Sequence, residues 1–291
     1  MFSGQPIWST LSLSGMSQDG EQLTNKTSFR ILNTLYNMGK APEPNITVMW
    51  SPREPEAFRK FVAKVAVDTS AIQVENDDLL RDTWGTDYYG IACCVSAQPI
   101  ATGVQFFGAR ANLAKAVLYA INGGVDEKTR MQVGPEIDPI ETEYIDYDTF
   151  MKDFDKMADW LAGLYVNSLN VIHYSHDQTY YEKASMALKN TNLDRSFATG
   201  ISGFSHAVDS ISAIKYGHVR IVRDDKGFPI DYVAENEFPK YGNNDDRADE
   251  IATWLVEYFF KKMDKHKKYR GAKLTTSILT ITSNVVVRTE R

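Results

Sequence analysis

Two cysteines stand side by side in Ile91-Ala92-Cys93-Cys94-Val95-Ser96, and the 291-residue chain has no others. In an extended segment neighbouring side chains point to opposite faces, so the two sulfurs could serve different partners. In a tight loop both could sit at the tip. Taken alone, the dipeptide fits best as two small buried residues, since free cysteine is among the most buried types. A vicinal disulfide would be strained. A metal centre lacks further Cys or His ligands at a usual spacing.

A second feature is Phe106-Phe107-Gly108-Ala109-Arg110. The pattern predicts an apolar wall beside an arginine at a helix start, where the helix N-terminus adds its own positive end. Such a corner suits a small carboxylate, which Arg can hold in a bidentate pair. An ordinary helix start with Arg110 solvated accounts for the same residues. His173 and His176 lie three apart on a predicted helix, and packing or solvation explains them better than a metal. Glu75-Asn76-Asp77-Asp78 and Asn243-Asn244-Asp245-Asp246 lack calcium-loop spacing and read as solvated loops and helix caps. There is neither a phosphate-cradling glycine loop nor a GxSxG motif.

Composition narrows the partners. With 43% hydrophobic residues, 24% charged residues and a net charge of −6, the chain has material for a substantial core and no concentrated basic face for nucleic acid. The basic run Lys261–Arg270 fits a helix end. No apolar run is long enough to cross a bilayer, and the first ten residues lack the pattern of a signal peptide. Two adjacent cysteines offer no disulfide framework, so a cytoplasmic setting is expected.

These residues need elements to position them. Ile46–Trp50 reads as a strand. Pro55 suits a first helical position, with Phe58, Phe61, Val62 and Val65 on one face. A helix is predicted over Arg110–Ile121, stopped by Asn122-Gly123-Gly124. Asp148 is the expected cap of a long helix burying Met151, Phe154, Met157, Leu161, Leu164, Tyr165, Leu169 and Ile172. Ser205 is the expected cap of another, with Val208, Ile211 and Ile214 inside and Gly217 at its end. A last helix, Arg247–Met263, should bury Ile251, Trp254, Leu255, Tyr258 and Phe259. His218–Arg223 and Phe228–Ala234 flank Asp224-Asp225-Lys226-Gly227 as a hairpin. Thr275–Val287 reads as a strand covered on both faces. Phe2–Thr24 shows neither cap nor periodicity.

Longer stretches carry a resemblance. KAPEPNITVMWS, DTSAIQVENDDLLR, YYGIACCVSA, VQFFGARANLAKAVLYAINGGVDEK, TGISGFSHAVDSISAIKY, GNNDDRADEIA and ILTITSNVV resemble the pyruvate formate-lyase (formate acetyltransferase) family of glycyl-radical enzymes, from about Phe2 to Val286. The Cys-Cys pair narrows it, because the related diol dehydratases typically have a single cysteine there. The resemblance implies an α/β fold, part of a ten-stranded α/β barrel, with a finger loop carrying the cysteines. It implies that Cys94 passes a thiyl radical to Cys93, which attacks the carbonyl of pyruvate. Formate leaves, and coenzyme A, the co-substrate, takes the acetyl group from Cys93. Arg110 falls on the family's substrate arginine, and Phe107 and Trp8 on its packing aromatics. No metal or organic cofactor is implied in the enzyme itself. The glycyl radical comes from an iron–sulfur/S-adenosylmethionine activase, and the full-length family implies a homodimer.

Family members are longer. The expectation is a central portion, residues 1–291, without the N-terminal half-barrel and without the C-terminal loop whose glycine stores the radical. Gly203 belongs to a different motif, G-I-x-G. Both ends read as cut, so the chain alone is expected to be inactive and poorly soluble, with sheet edges exposed. A 2-oxobutyrate formate-lyase, a non-catalytic remnant, an interaction piece that completes a partner chain and a thiol redox sensor are the other readings. One methylene, worth about 1–3 kcal/mol, separates the two 2-oxoacids.

Overall fold

The computed structural model describes residues 11–37, 46–69, 72–92, 96–185, 187 and 189–278. The chain divides into two compact units, Met1–Gln105 with Lys183–Asp194, and Phe106–Glu182 with Arg195–Arg291.

In the first unit, β1 (Leu11–Ser14), β2 (Ile46–Trp50) and β3 (Ile72–Asn76) form a parallel sheet in that order. Parallel neighbours need long crossovers, and α1 (Lys26–Asn37) and α2 (Glu56–Thr69) lie between these strands in sequence. β2 is the predicted strand, buried from Ile46 to Met49 as a central strand is. Phe58, Val62 and Val65 of α2 pack with Leu32 and Leu35 of α1 and with Ile46 and Val48 of β2. β1 went unpredicted because four residues of Leu and Ser carry only a short alternation and no β-branched or aromatic side chain, and its pairing with β2 defines it. α3 (Asp77–Trp84) follows β3 directly. Asn76 caps it, its side-chain oxygen accepting the Leu79 N–H at 3.0 Å. Next come β4 (Tyr89–Ala92) and β5 (Ser96–Pro99), an antiparallel pair.

β6 (Gly103–Phe106) takes the chain to the second unit. There β8 (Asp194–Ser202), buried from Ser196 to Ile201, pairs in parallel with both β7 (Ala111–Asn112) and β11 (Lys273–Ile278). The helices are α4 (Leu113–Ile121), α5 (Tyr147–Asp177), the short α6 (Tyr181–Ser185), α7 (Phe204–Tyr216) and α8 (Asp246–Asp264). The predicted hairpin forms as β9 (Val219–Arg223) and β10 (Pro229–Ala234). Beyond Ile278 the predicted last strand lies outside the described residues.

Five expectations are corrected. α4 starts at Leu113 rather than Arg110, because β8 draws Ala111 and Asn112 into a strand and Asn112 then caps the Lys115 N–H at 3.2 Å. Asp146, not Asp148, caps α5, accepting the Thr149 N–H at 2.9 Å. Ser205 does not cap α7, since Gly203 occupies that position at φ +65°. On α5, Phe154, Met157, Tyr165 and Leu169 are buried as predicted, but Leu164 is 47% exposed. The buried face also takes in Ala158, Ala162, Val166 and His173, small or polar residues that a list of large apolar side chains leaves out. On α8, Ile251, Leu255 and Phe259 are buried, while Trp254 lies at the surface and stacks on Tyr258 at 4.7 Å.

Gly203 is a tight point between β8 and α7. A Cβ there would come within 2.7 Å of Asn112 Oδ1 and 2.9 Å of Ala114 Cβ, on a left-handed backbone. Gly203→Ala is expected to cost about 1–3 kcal/mol. A drop in the urea midpoint with an unchanged slope is the expected reading.

Candidate active site

The β4–β5 stem is built from a buried carboxylate outward. Cys93, Cys94 and Val95 join β4 to β5 and lie outside the described residues, as does Trp8. The stem around them is described: Tyr89 opposes Pro99, and Ala92 opposes Ser96. Just below, the Ile100 N–H donates to the Tyr88 carbonyl at 2.9 Å. Asp77, 2% exposed, anchors the stem. Its Oδ1 accepts the Tyr89 hydroxyl, and its Oδ2 accepts the Met16 N–H at 2.9 Å and the Arg81 Nε–H at 3.1 Å. A buried carboxylate holds its place only when so satisfied. Burial and the Asp77 carboxylate push the Tyr89 phenol up, so Tyr89 stays a donor. The acidic run read as loop and cap thus caps α3 through Asn76 and fixes the hairpin through Asp77.

The arginine belongs to the second unit and sits on a short bridge between β6 and β7. Phe106, 1% exposed, stacks on His173 of α5 with ring centres 4.7 Å apart. Gly108 lies against α5, where an added Cβ would meet Leu169 and Ile172 side-chain carbons at 3.2 Å. Ala111 then enters the sheet opposite Ile201. Between these points the Tyr165 hydroxyl of α5 donates to the Ala109 carbonyl at 2.6 Å and accepts the Gly200 N–H of β8 at 2.9 Å.

Arg110 leaves this bridge with its guanidinium carbon 5.5 Å from the centre of the Phe107 ring, a cation–π arrangement. Among the described residues it pairs with no carboxylate. Phe107 is 37% exposed. Of the predicted site residues the structure therefore brings Phe107 and Arg110 together. It corrects the expected helix start: Arg110 precedes the Asn112 cap, and what holds it is sheet pairing and a tyrosine hydroxyl.

Sequence reasoning placed Tyr165 on the apolar face of α5 without its polar role. Only a tyrosine at a position otherwise suited to Leu or Phe could have signalled it. Burial pushes its phenol up to about 12, so it remains a neutral donor and acceptor. The predicted histidine pair divides: His173 is buried at 3% and His176 is at the surface. Burial first, and then His176, lower the His173 pKa to about 4. Its imidazole is neutral and serves as an aromatic surface for Phe106. No group of three or more His, Cys, Asp or Glu that could hold a metal ion occurs among the described residues.

The chain matches known proteins over nearly its whole length. The family model for pyruvate formate lyase-like proteins matches residues 1–288, and the chain belongs to that family. It is 54% identical over 286 residues to formate acetyltransferase 1 of Escherichia coli (strain K12), covering 98% of this chain and 38% of that relative. The chain thus spans well under half of the relative's length. Two solved structures share the fold. One, described for 1,2-propanediol dehydration in Roseburia inulinivorans, has a TM-score of 0.73 at 18% identity, covering 98% of this chain and 41% of that one. The other, the B12-independent glycerol dehydratase from Clostridium butyricum, has a TM-score of 0.68 at 20% identity, covering 93% and 38%. The expected α/β class, as part of a glycyl-radical-enzyme fold, is what these structures show.

The depressed His173 pKa has a signed consequence. Between its ordinary value of 6.5 and its folded value of about 4, the unfolded chain binds more protons than the folded one. Stability should be free of this penalty above pH 6.5 and fall as the pH drops toward about 4. Urea titrations across that window are expected to show a shallower pH slope for His173→Phe than for the unaltered chain.

Proposed function

We propose that this stretch supplies the reacting sulfurs and the carboxylate clamp of a formate acetyltransferase, splitting pyruvate with coenzyme A into acetyl-CoA and formate. The observation that carries the reading is the Arg110 bridge. A guanidinium without a protein carboxylate among the described residues stands on a backbone held by α5 and β8, beside an aromatic wall. The 54% identity to formate acetyltransferase 1 supports the same assignment.

Splitting a C–C bond next to a carbonyl by proton transfer would release an unstable acyl anion. A one-electron route avoids that charge. It needs a sulfur that can give up a hydrogen atom, and Cys94 and Cys93 are the two candidates. Cys93, as a thiyl, adds to the pyruvate carbonyl carbon. The C–C bond then breaks homolytically, leaving the acetyl group on Cys93 as a thioester. The carboxylate fragment carries away the unpaired electron and becomes formate when it takes back a hydrogen atom. Coenzyme A takes the acetyl group in a second step. Nothing in this sequence requires a base beside the sulfur, unlike ordinary thiol nucleophiles.

Position matters more than proton transfer, because a loose radical abstracts hydrogen from its nearest neighbour. Arg110 would hold the carboxylate by its fork of N–H donors, and Phe107 and Trp8 would exclude water. The initiating glycyl radical, its activase, the homodimer and the cytoplasmic setting belong to this same reading. No helix among the described residues is long and apolar enough to cross a membrane.

The test is a graft of the matched residues into the corresponding place in the E. coli relative. After anaerobic activation, the graft should release formate from pyruvate in the presence of coenzyme A. Cys93→Ser and Cys94→Ser should each reduce formate to the unactivated background. Arg110→Lys should raise the KM for pyruvate by roughly 10–100-fold, since an ammonium cannot reproduce the bidentate pair. Formate release unaffected by either cysteine change would refute the assignment.

A further inference from the structure

We infer that Tyr165 is the positioning residue for the substrate-binding arginine, acting through the Ala109–Arg110 peptide. This inference rests on the reading of Arg110 as the carboxylate clamp and names the group that aims it.

The peptide between Ala109 and Arg110 carries the Ala109 carbonyl at one end and the Arg110 N–H at the other, in one plane. The direction of that carbonyl therefore sets the plane from which the Arg110 side chain departs. The carbonyl is held by the Tyr165 hydroxyl at 2.6 Å. The same hydroxyl accepts the Gly200 N–H at 2.9 Å, so its oxygen is tied to β8 and is not free to follow a moving bridge. The Tyr165 ring is 4% exposed and sits on α5 four residues before Leu169, which packs against Gly108. One phenol thus joins three elements: the helix that carries it, the buried strand and the arginine bridge.

The remaining contacts of the bridge leave one freedom open. Gly108 is fixed in position by its approach to Leu169 and Ile172, and Ala111 by its register opposite Ile201. Between them Ala109 and Arg110 could still rotate their shared peptide while both ends stay in place. The Tyr165 hydroxyl opposes that rotation.

A residue of this kind should act on carboxylate binding rather than on bond cleavage. The probe is pyruvate itself, bound to the unactivated full-length graft and followed by calorimetry, so that no radical chemistry is involved. Tyr165→Phe keeps the ring and removes one oxygen. It is expected to weaken pyruvate binding about tenfold, the scale of one lost hydrogen bond. In an Arg110→Lys background the same change should alter binding less than about twofold, because the fork it aims is gone. In the activated graft, KM should rise with kcat nearly unchanged.

Equal binding by Tyr165→Phe and the unaltered graft would overturn the inference. So would a loss of the same size in both backgrounds, which would mark Tyr165 as structural only. Binding that follows the expected pattern without formate release from the activated graft would sustain the inference and defeat the proposed reaction. A graft that binds no pyruvate at all would overturn both.

Discussion

One hydroxyl group ties the arginine bridge to its frame. Tyr165 reaches from α5 to hold the Ala109 carbonyl and the Gly200 amide together. A guanidinium on a long side chain has many rotamers to lose on binding, and a planar fork is useful only if its base does not move. The buried sheet and the long helix supply that base. Gly108 lets the bridge approach α5 closely, and the pairing of Ala111 with Ile201 ends it in a strand. Arg110 is then left with an aromatic neighbour and no protein carboxylate among the described residues. Arg110 is exposed, so water solvates its guanidinium, and the fork stays open to an anion from outside the chain.

The first unit applies the same logic to the hairpin. A buried carboxylate, Asp77, satisfies donors from three places: the strap after β1, its own helix α3 and the first residue of β4. Both devices fasten a short segment from outside itself. Segments that position chemistry are seldom stabilised by their own sequence, because their side chains are committed to the substrate.

This explains what was legible beforehand. Ile46–Trp50, the α2 face at Phe58, Val62 and Val65, and the β9–β10 hairpin were readable because local pattern and tertiary packing agree there. The start of α4 was misread because the Ala- and Leu-rich pattern continues through Arg110 and Ala111, while β8 pulls those residues out of the helix. β1 was missed because a short polar strand exists only through its partner. Asp146 rather than Asp148 caps α5 because two acceptors compete at that helix start and the entry angle of the chain decides, whereas α7 begins at Gly203 through a left-handed backbone turn and no side-chain acceptor. Arg110 was singled out from residue type and neighbours. For Tyr165 the one signal is a hydroxyl on an apolar face, which does not say what it bonds to.

The most direct measurement of the central claim is a crystal structure of the unactivated full-length graft with pyruvate bound. The account predicts the carboxylate in a two-pronged contact with Arg110 at about 2.8 Å, with the carbonyl carbon facing Cys93. It also predicts the Tyr165 hydroxyl still bonded to Ala109. Pyruvate seated elsewhere, or Arg110 paired with a protein carboxylate while substrate is bound, would contradict it.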